Sequence, residues 1–195
     1  MAKYLFVAVY HNLKCITKNT TMKTMTKLVA AAFTAAAIFI GTNVNAQTTP
    51  KSVWRLGVGL EGGIPTGNAH DYFGAQIGGT ARLQYGISDN LALTLTSGYY
   101  NFFAKNDYKN VGGDDLGMVP VKAGIKAFVS QNIYLGAEVG AGFETSLGKS
   151  TKLIASPGIG WANQSWDVGV RYENYSGQSN NYGLVGLRLA YGFGL

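Results

Sequence analysis

Eleven charged side chains between Arg55 and Arg188 fall on alternating positions that they share with glycine: Arg55, Glu61, Arg82, Lys122, Lys126, Glu138, Glu144, Asp167, Arg171, Glu173 and Arg188. Six are cations and five are carboxylates. Gathered on one inward surface, they would form a lumenal charge network, because an unpaired charge there is costly; the same groups could instead line a narrow, gated path for ions. Across the tight turn at 130–132, Lys126 comes opposite or diagonal to Glu138. Across the turn at 164–165, Arg171 faces Gly158, which leaves its guanidinium room to reach carboxylates on neighbouring strands.

Other stretches have suggestive residue types without the arrangement their chemistry needs. Gly57-Val58-Gly59-Leu60-Glu61-Gly62 spells the dinucleotide fingerprint, which works only where a strand turns into a helix that meets the pyrophosphate. Here Gly63-Ile64-Pro65 follows, and no helix can open. His70 beside Asp71 lies in a long loop and lacks the nucleophile and orienting partners that acyl transfer requires. Asp107, Asp114 and Asp115, with Asn106 and Asn110, could approach a divalent cation, but their spacing fits no known calcium loop. The sequence therefore assigns no catalytic, cofactor-binding or metal-ligating residue.

The elements that must position the charges are strands. Eight segments are expected, at about 53–64, 75–86, 91–103, 117–129, 133–144, 152–163, 166–175 and 182–195, each with apolar residues at every second position. Three tight turns alternate with four longer loops at 65–74, 104–116, 145–151 and 176–181, the rhythm of an all-β, eight-stranded antiparallel up-and-down transmembrane β-barrel. Glycine decides which face meets which solvent. Gly57, Gly59, Gly98, Gly124, Gly140 and Gly158 share the charged parity, where a narrow lumen needs very small residues between bulky ones. The lumen is then polar, and the aliphatic parity faces lipid. Trp54, Tyr85, Trp161, Trp166, Tyr191 and Phe193 form a belt near the short turns, with Tyr99, Phe103, Phe143, Tyr172 and Tyr182 forming another near the loops. Pro120 and Pro157 are expected near the loop ends of their strands, where a missing donor is best tolerated.

Composition is consistent once the chain is divided. Five of the six net positive charges come from lysines before residue 47, leaving eleven basic and ten acidic side chains, so no nucleic-acid partner is expected. Cys15 is the only cysteine, which removes disulfides and cysteine-held metals from residues 47–195. Met22 to Lys27 supplies a basic start, Leu28 to Gly41 an apolar run and Ala46 a small residue before Gln47, the pattern of a cleavable signal peptide over 22–46. Residues 1–21 read as an upstream extension from a mis-called start, and 47–195 as the barrel domain.

Met118-Val119-Pro120-Val121-Lys122-Ala123-Gly124-Ile125-Lys126-Ala127-Phe128 and Asn132 to Phe143 resemble the outer-membrane β-barrel domain family of Bacteroidetes-type bacteria, as do Pro157 to Trp161 and Trp166 to Tyr172. Leu187, Leu189, Tyr191 and Phe193 look like the C-terminal signal read by the barrel assembly machinery, although Leu195 stands where that signal usually ends on Phe or Trp. The resemblance implies a monomer in the bacterial outer membrane, with outer-membrane lipids and lipopolysaccharide as surroundings, and no particular activity. Three functions follow in order: a non-enzymatic protein serving envelope integrity or surface interaction through its loops, a small porin-like channel, and a lipid A-modifying enzyme built on His70.

Overall fold

The computed structural model describes residues 52–146, 150–177 and 181–195. The signal peptide expected at 22–46, the extension before it and Cys15 lie outside the described residues. Alternating apolar and small or polar residues form β1 (Trp54–Thr66), β2 (Phe73–Ser88), β3 (Leu91–Ala104), β4 (Leu116–Phe128), β5 (Ile133–Glu144), β6 (Thr151–Ala162), β7 (Trp166–Ser176) and β8 (Tyr182–Gly194). Each strand pairs antiparallel with the next, and β8 closes on β1. Following the register from Leu56 through Leu83, Leu95, Ala123, Val139, Ala155, Asn174 and Gly183 returns to β1 at Thr66. That stagger tilts the strands against the barrel axis and fixes a lumen that side chains alone can fill.

The exterior carries the aliphatic parity. Leu60 is 69 % exposed and Leu187 61 %, while Glu61 and Arg188 beside them in sequence are buried. A barrel in water would do the reverse, so the outer surface is matched to hydrocarbon. Strands of 11 to 16 residues are long enough to cross a bilayer and project beyond it. At the turn end the outer rings form a belt: Trp54 lies 4.6 Å from Tyr85, and Trp166 lies 5.2 Å from Tyr191. Tyr99, Phe103, Phe143 and Tyr172 are exposed toward the loop end.

Some inward glycines sit where the backbone leaves no room for a side chain. Gly98 pairs with Thr80 and Gly140 with Lys122. A Cβ on Gly98 would strike the Gly79 carbonyl oxygen, and one on Gly140 would strike that of Val121.

Several local features depart from the sequence expectation. Tyr182 points inward, because it shares the parity of Leu184 and Arg188, and its ring stacks on Tyr175 at 4.7 Å. Pro157 is not near a loop end; it falls in mid-strand within β6. The β6–β7 pairing passes from Ala155↔Asn174 to Gly158↔Arg171 with the register unchanged, so the ladder is interrupted around the proline without shifting. Pro120 interrupts β3–β4 in the same way, between Ser97↔Val121 and Tyr100↔Met118. Two short helices, α1 (Ala69–Tyr72) and α2 (Asn106–Asn110), occupy the first two long loops. α2 stops where Gly112, at φ +89°, takes a left-handed conformation and returns its N–H to the Lys109 carbonyl at 3.1 Å.

The lipid-facing assignment predicts that Leu60→Arg, near the middle of β1, destabilises the barrel by about 2–4 kcal/mol in urea titrations in phospholipid vesicles. An unchanged midpoint would mean that Leu60 does not face hydrocarbon.

Candidate functional site in the barrel lumen

Inward positions on all eight strands converge on a lumen with three zones. At the turn end, Phe128, Tyr134 and Ala162 form a small apolar cluster. At the loop end, Phe102, Leu116, Met118, Ile154, Tyr175 and Leu184 pack with the ring of Tyr100, and Phe73 and Tyr182 lie against them. Sequence parity predicts a polar lumen, and the structure corrects this: even-numbered residues such as Phe102, Met118 and Ile154 carry apolar side chains inward at one end. Between the clusters lie the charges.

Glu61 on β1 holds the upper part of the network. Its Oε1 accepts from Arg188 Nη1 at 2.5 Å and Thr80 Oγ1 at 2.8 Å. Its Oε2 accepts from the Tyr100 hydroxyl at 2.6 Å and is ion-paired with Arg171. Glu173 on β7 meets Lys122 Nζ at 2.5 Å and Arg171 Nε at 3.0 Å, and also accepts from the Tyr175 hydroxyl. Lower down, Glu138 on β5 takes Arg82 Nη2 at 2.9 Å and Thr96 Oγ1 at 2.8 Å, with Lys122 at 3.6 Å. Asp167 on β7 accepts from Lys126 Nζ at 2.5 Å and the Tyr134 hydroxyl at 2.7 Å, with Arg82 at 3.5 Å. Lys126 also lies 4.1 Å from the centre of the Tyr134 ring.

These contacts bring together nine of the eleven sequence candidates and leave two at the ends. Arg55 donates to the carbonyl oxygens of Asn163, at 3.2 Å, and Gln164, tying β1 to the β6–β7 turn. Glu144 accepts from Ser150 at the loop end. Lys126 is diagonal to Glu138, since Gly136 is its partner and Gly124 faces Glu138; its ammonium crosses the lumen to Asp167 instead. Arg171 faces Gly158 and reaches across to β1. Sequence reasoning missed Lys152, which is buried and donates to the Gly177 carbonyl at 2.9 Å. Its parity with Ile154 and Ser156 was the available signal. It also missed the hydroxyls of Thr80, Thr96, Tyr100, Tyr134 and Tyr175, which take carboxylate lone pairs that the cations leave open.

Packing leaves little space in this zone. Lys122, Thr96, Glu173, Tyr100 and Met118 have no solvent exposure, whereas a water-filled bore would wet them. Cavities of about 30 Å³ each lie beside Arg171 and beside Arg55, each enough for one or two water-sized species.

The first two loops form a separate polar and aromatic cluster. Tyr108 of α2 packs edge-on against Tyr72 at 5.1 Å and Phe73 at 5.9 Å. His70 and Asp71 are exposed on α1. Asp115 accepts the Ala104 N–H at 2.9 Å and pairs with Lys109 at 3.0 Å, while Asp114 accepts the Asp115 N–H. Among the described residues no group of three His, Cys, Asp or Glu side chains could hold a metal ion.

Solved structures share the whole architecture. The outer-membrane protein Ail of Yersinia pestis in phospholipid nanodiscs matches with a TM-score of 0.53 at 13 % identity, over 73 % of this chain and 100 % of that one. This chain has the fold of the small outer-membrane β-barrels. A crystal structure of Ail, the attachment invasion locus protein, gives 0.52 at 14 % identity, over 73 % and 99 %. At such identities the likeness is one of fold. No family model and no curated protein matches the sequence. With this fold and an apolar exterior, the barrel resides in the bacterial outer membrane.

Two predictions follow from these contacts. Glu61→Gln strands Arg188 in a dry lumen, leaves Arg171 with the Glu173 carboxylate alone, and lowers stability by about 3–5 kcal/mol in vesicle urea titrations, whereas Arg55→Gln at the mouth costs about 1 kcal/mol. Equal effects would contradict the assignment of Glu61 as the centre. In the loops, the Ala104 N–H and then Lys109 hold the Asp115 carboxyl below its ordinary value of 3.8. A carboxyl lowered by folding stabilises the loop above that value and loses the effect as pH falls through its own lower one. Amide exchange at Ala104, read against acidification below pH 3.8, therefore shows a loosening step that Asp115→Asn lacks.

Proposed function

We propose that the barrel is a closed, non-enzymatic outer-membrane protein that contributes to envelope integrity or surface interaction through its four loops. The observation that carries this reading is the filled lumen: its charged side chains face one another, and the apolar cluster at the loop end adds a second barrier. Chemistry needs a place for substrate, and the cavities beside Arg171 and Arg55 are about 30 Å³ each. His70 stands exposed on α1 without the converging partners of an acyl-transfer site.

The aliphatic exterior suits outer-membrane lipids, and the loop end suits contact with lipopolysaccharide. Leu187, Leu189, Tyr191 and Phe193 present the outward face of β8 to the barrel assembly machinery during insertion, and the mature protein works as a monomer. Kinship with the Bacteroidetes-type outer-membrane barrels rests on the motifs around Lys122, Gly136, Pro157 and Asp167. Nucleic acid has no place among the partners.

Planar-bilayer recording tests the reading. The purified barrel is expected to give a flat baseline; repeated, well-defined conductance steps abolished by Arg171→Ala would replace it with the channel. Mass spectrometry of lipid A from cells with and without the protein is expected to show identical species, and a new species would make it an enzyme.

A further inference from the structure

The central network does not balance. Arg82, Lys122, Lys126, Arg171 and Arg188 supply five positive charges, and Glu61, Glu138, Asp167 and Glu173 supply four negative ones. One positive charge is left over in a lumen where none of these side chains is more than 16 % exposed. Guanidinium N–H groups are left over as well. Arg171 Nη1 and Arg188 Nε are buried with no hydrogen-bond acceptor, as is Arg171 Nε, which has only its ion pair with Glu173 at 3.0 Å.

Both arginines line one of the cavities of about 30 Å³, together with Arg82 and Lys126. Part of its wall is glycine: Gly136 pairs with Gly158, and Gly169 lies beside them on β7, so at these three positions adjacent strands present only backbone to the space. The carboxylate on the wall is Glu138, whose Oε1 is already taken by Arg82, Thr96 and Thr94. Water could satisfy these N–H groups but would leave the charge, and uncompensated buried charge is strongly destabilising.

We propose that this cavity holds one small monovalent anion of the size and charge of chloride, which completes the charge balance of the central network. The anion accepts from the arginines that the carboxylates cannot fully occupy. It is held beside Gly136, where a Cβ would meet nothing nearer than 3.5 Å.

Bromide replacing chloride in the folded, purified barrel is the probe, read by anomalous diffraction at the bromine edge. One bromide peak is expected in the cavity between Arg82, Lys126, Arg171 and Arg188. Heat-modifiable gel mobility should give a higher unfolding midpoint in chloride or bromide than in gluconate, which is too large to enter, at equal ionic strength. Lys126→Met removes the surplus charge and should abolish both the peak and the anion dependence. If that variant does not fold, the wild-type diffraction decides alone. A cavity with water only, or a midpoint identical in halide and gluconate, would overturn the proposal.

Discussion

Glu61 stands opposite Arg188 across the β1–β8 seam, and its two oxygens gather Arg188, Arg171, Thr80 and Tyr100. The rest of the interior depends on such neutralisation, because eight strands closed in hydrocarbon leave a bore too narrow for a solvated charge. Removing an ion from water costs several kcal/mol, and only a partner at contact distance with its remaining lone pairs occupied recovers that cost. Each central carboxylate meets this condition in the same way: at least one cation and at least one hydroxyl. Because the partners lie on different strands, the network also ties together β1, β2, β4, β5, β7 and β8 through side chains, in addition to the backbone ladders.

The apolar clusters at the two ends have a complementary role. Phe102, Met118, Ile154 and Leu184 exclude water from the loop side, and Phe128 with Tyr134 narrows the turn side. A dry environment strengthens every ion pair between them and raises the penalty for breaking one. Opening the lumen would therefore require moving a packed cluster and separating buried pairs together, which favours a barrel acting at its surfaces. The loops are anchored for such a role: Tyr108 joins α2 to Tyr72 and Phe73, and Asp115 clasps the base of its loop through Ala104 and Lys109.

Much of the architecture was legible in the sequence because a period of two is an unambiguous signal, and glycine on the charged parity told inside from outside. The inward direction of Lys126 or Arg171 follows from that parity alone. What the parity cannot give is partnership. Lys126 passes over its diagonal neighbour Glu138 for Asp167, because the tilt of a staggered barrel brings non-adjacent strands face to face. The apolar zone was missed for a related reason. Phe102, Met118 and Ile154 are scattered over three strands, and only the register places them at one height. Tyr182 was assigned to the outer belt by its place near a strand end, although its parity with Leu184 points it inward.

The claim that the lumen is sealed and dry is tested most directly by its chemical accessibility. Thr96, which has no solvent exposure and lies between Arg82 and Glu138, can be changed to cysteine in a Cys15→Ser background. In the folded barrel in vesicles, a small water-soluble thiol reagent should leave Thr96→Cys unlabelled while labelling Asp107→Cys on α2 fully. Labelling of both at comparable rates would show that water reaches the middle of the lumen and would contradict the account.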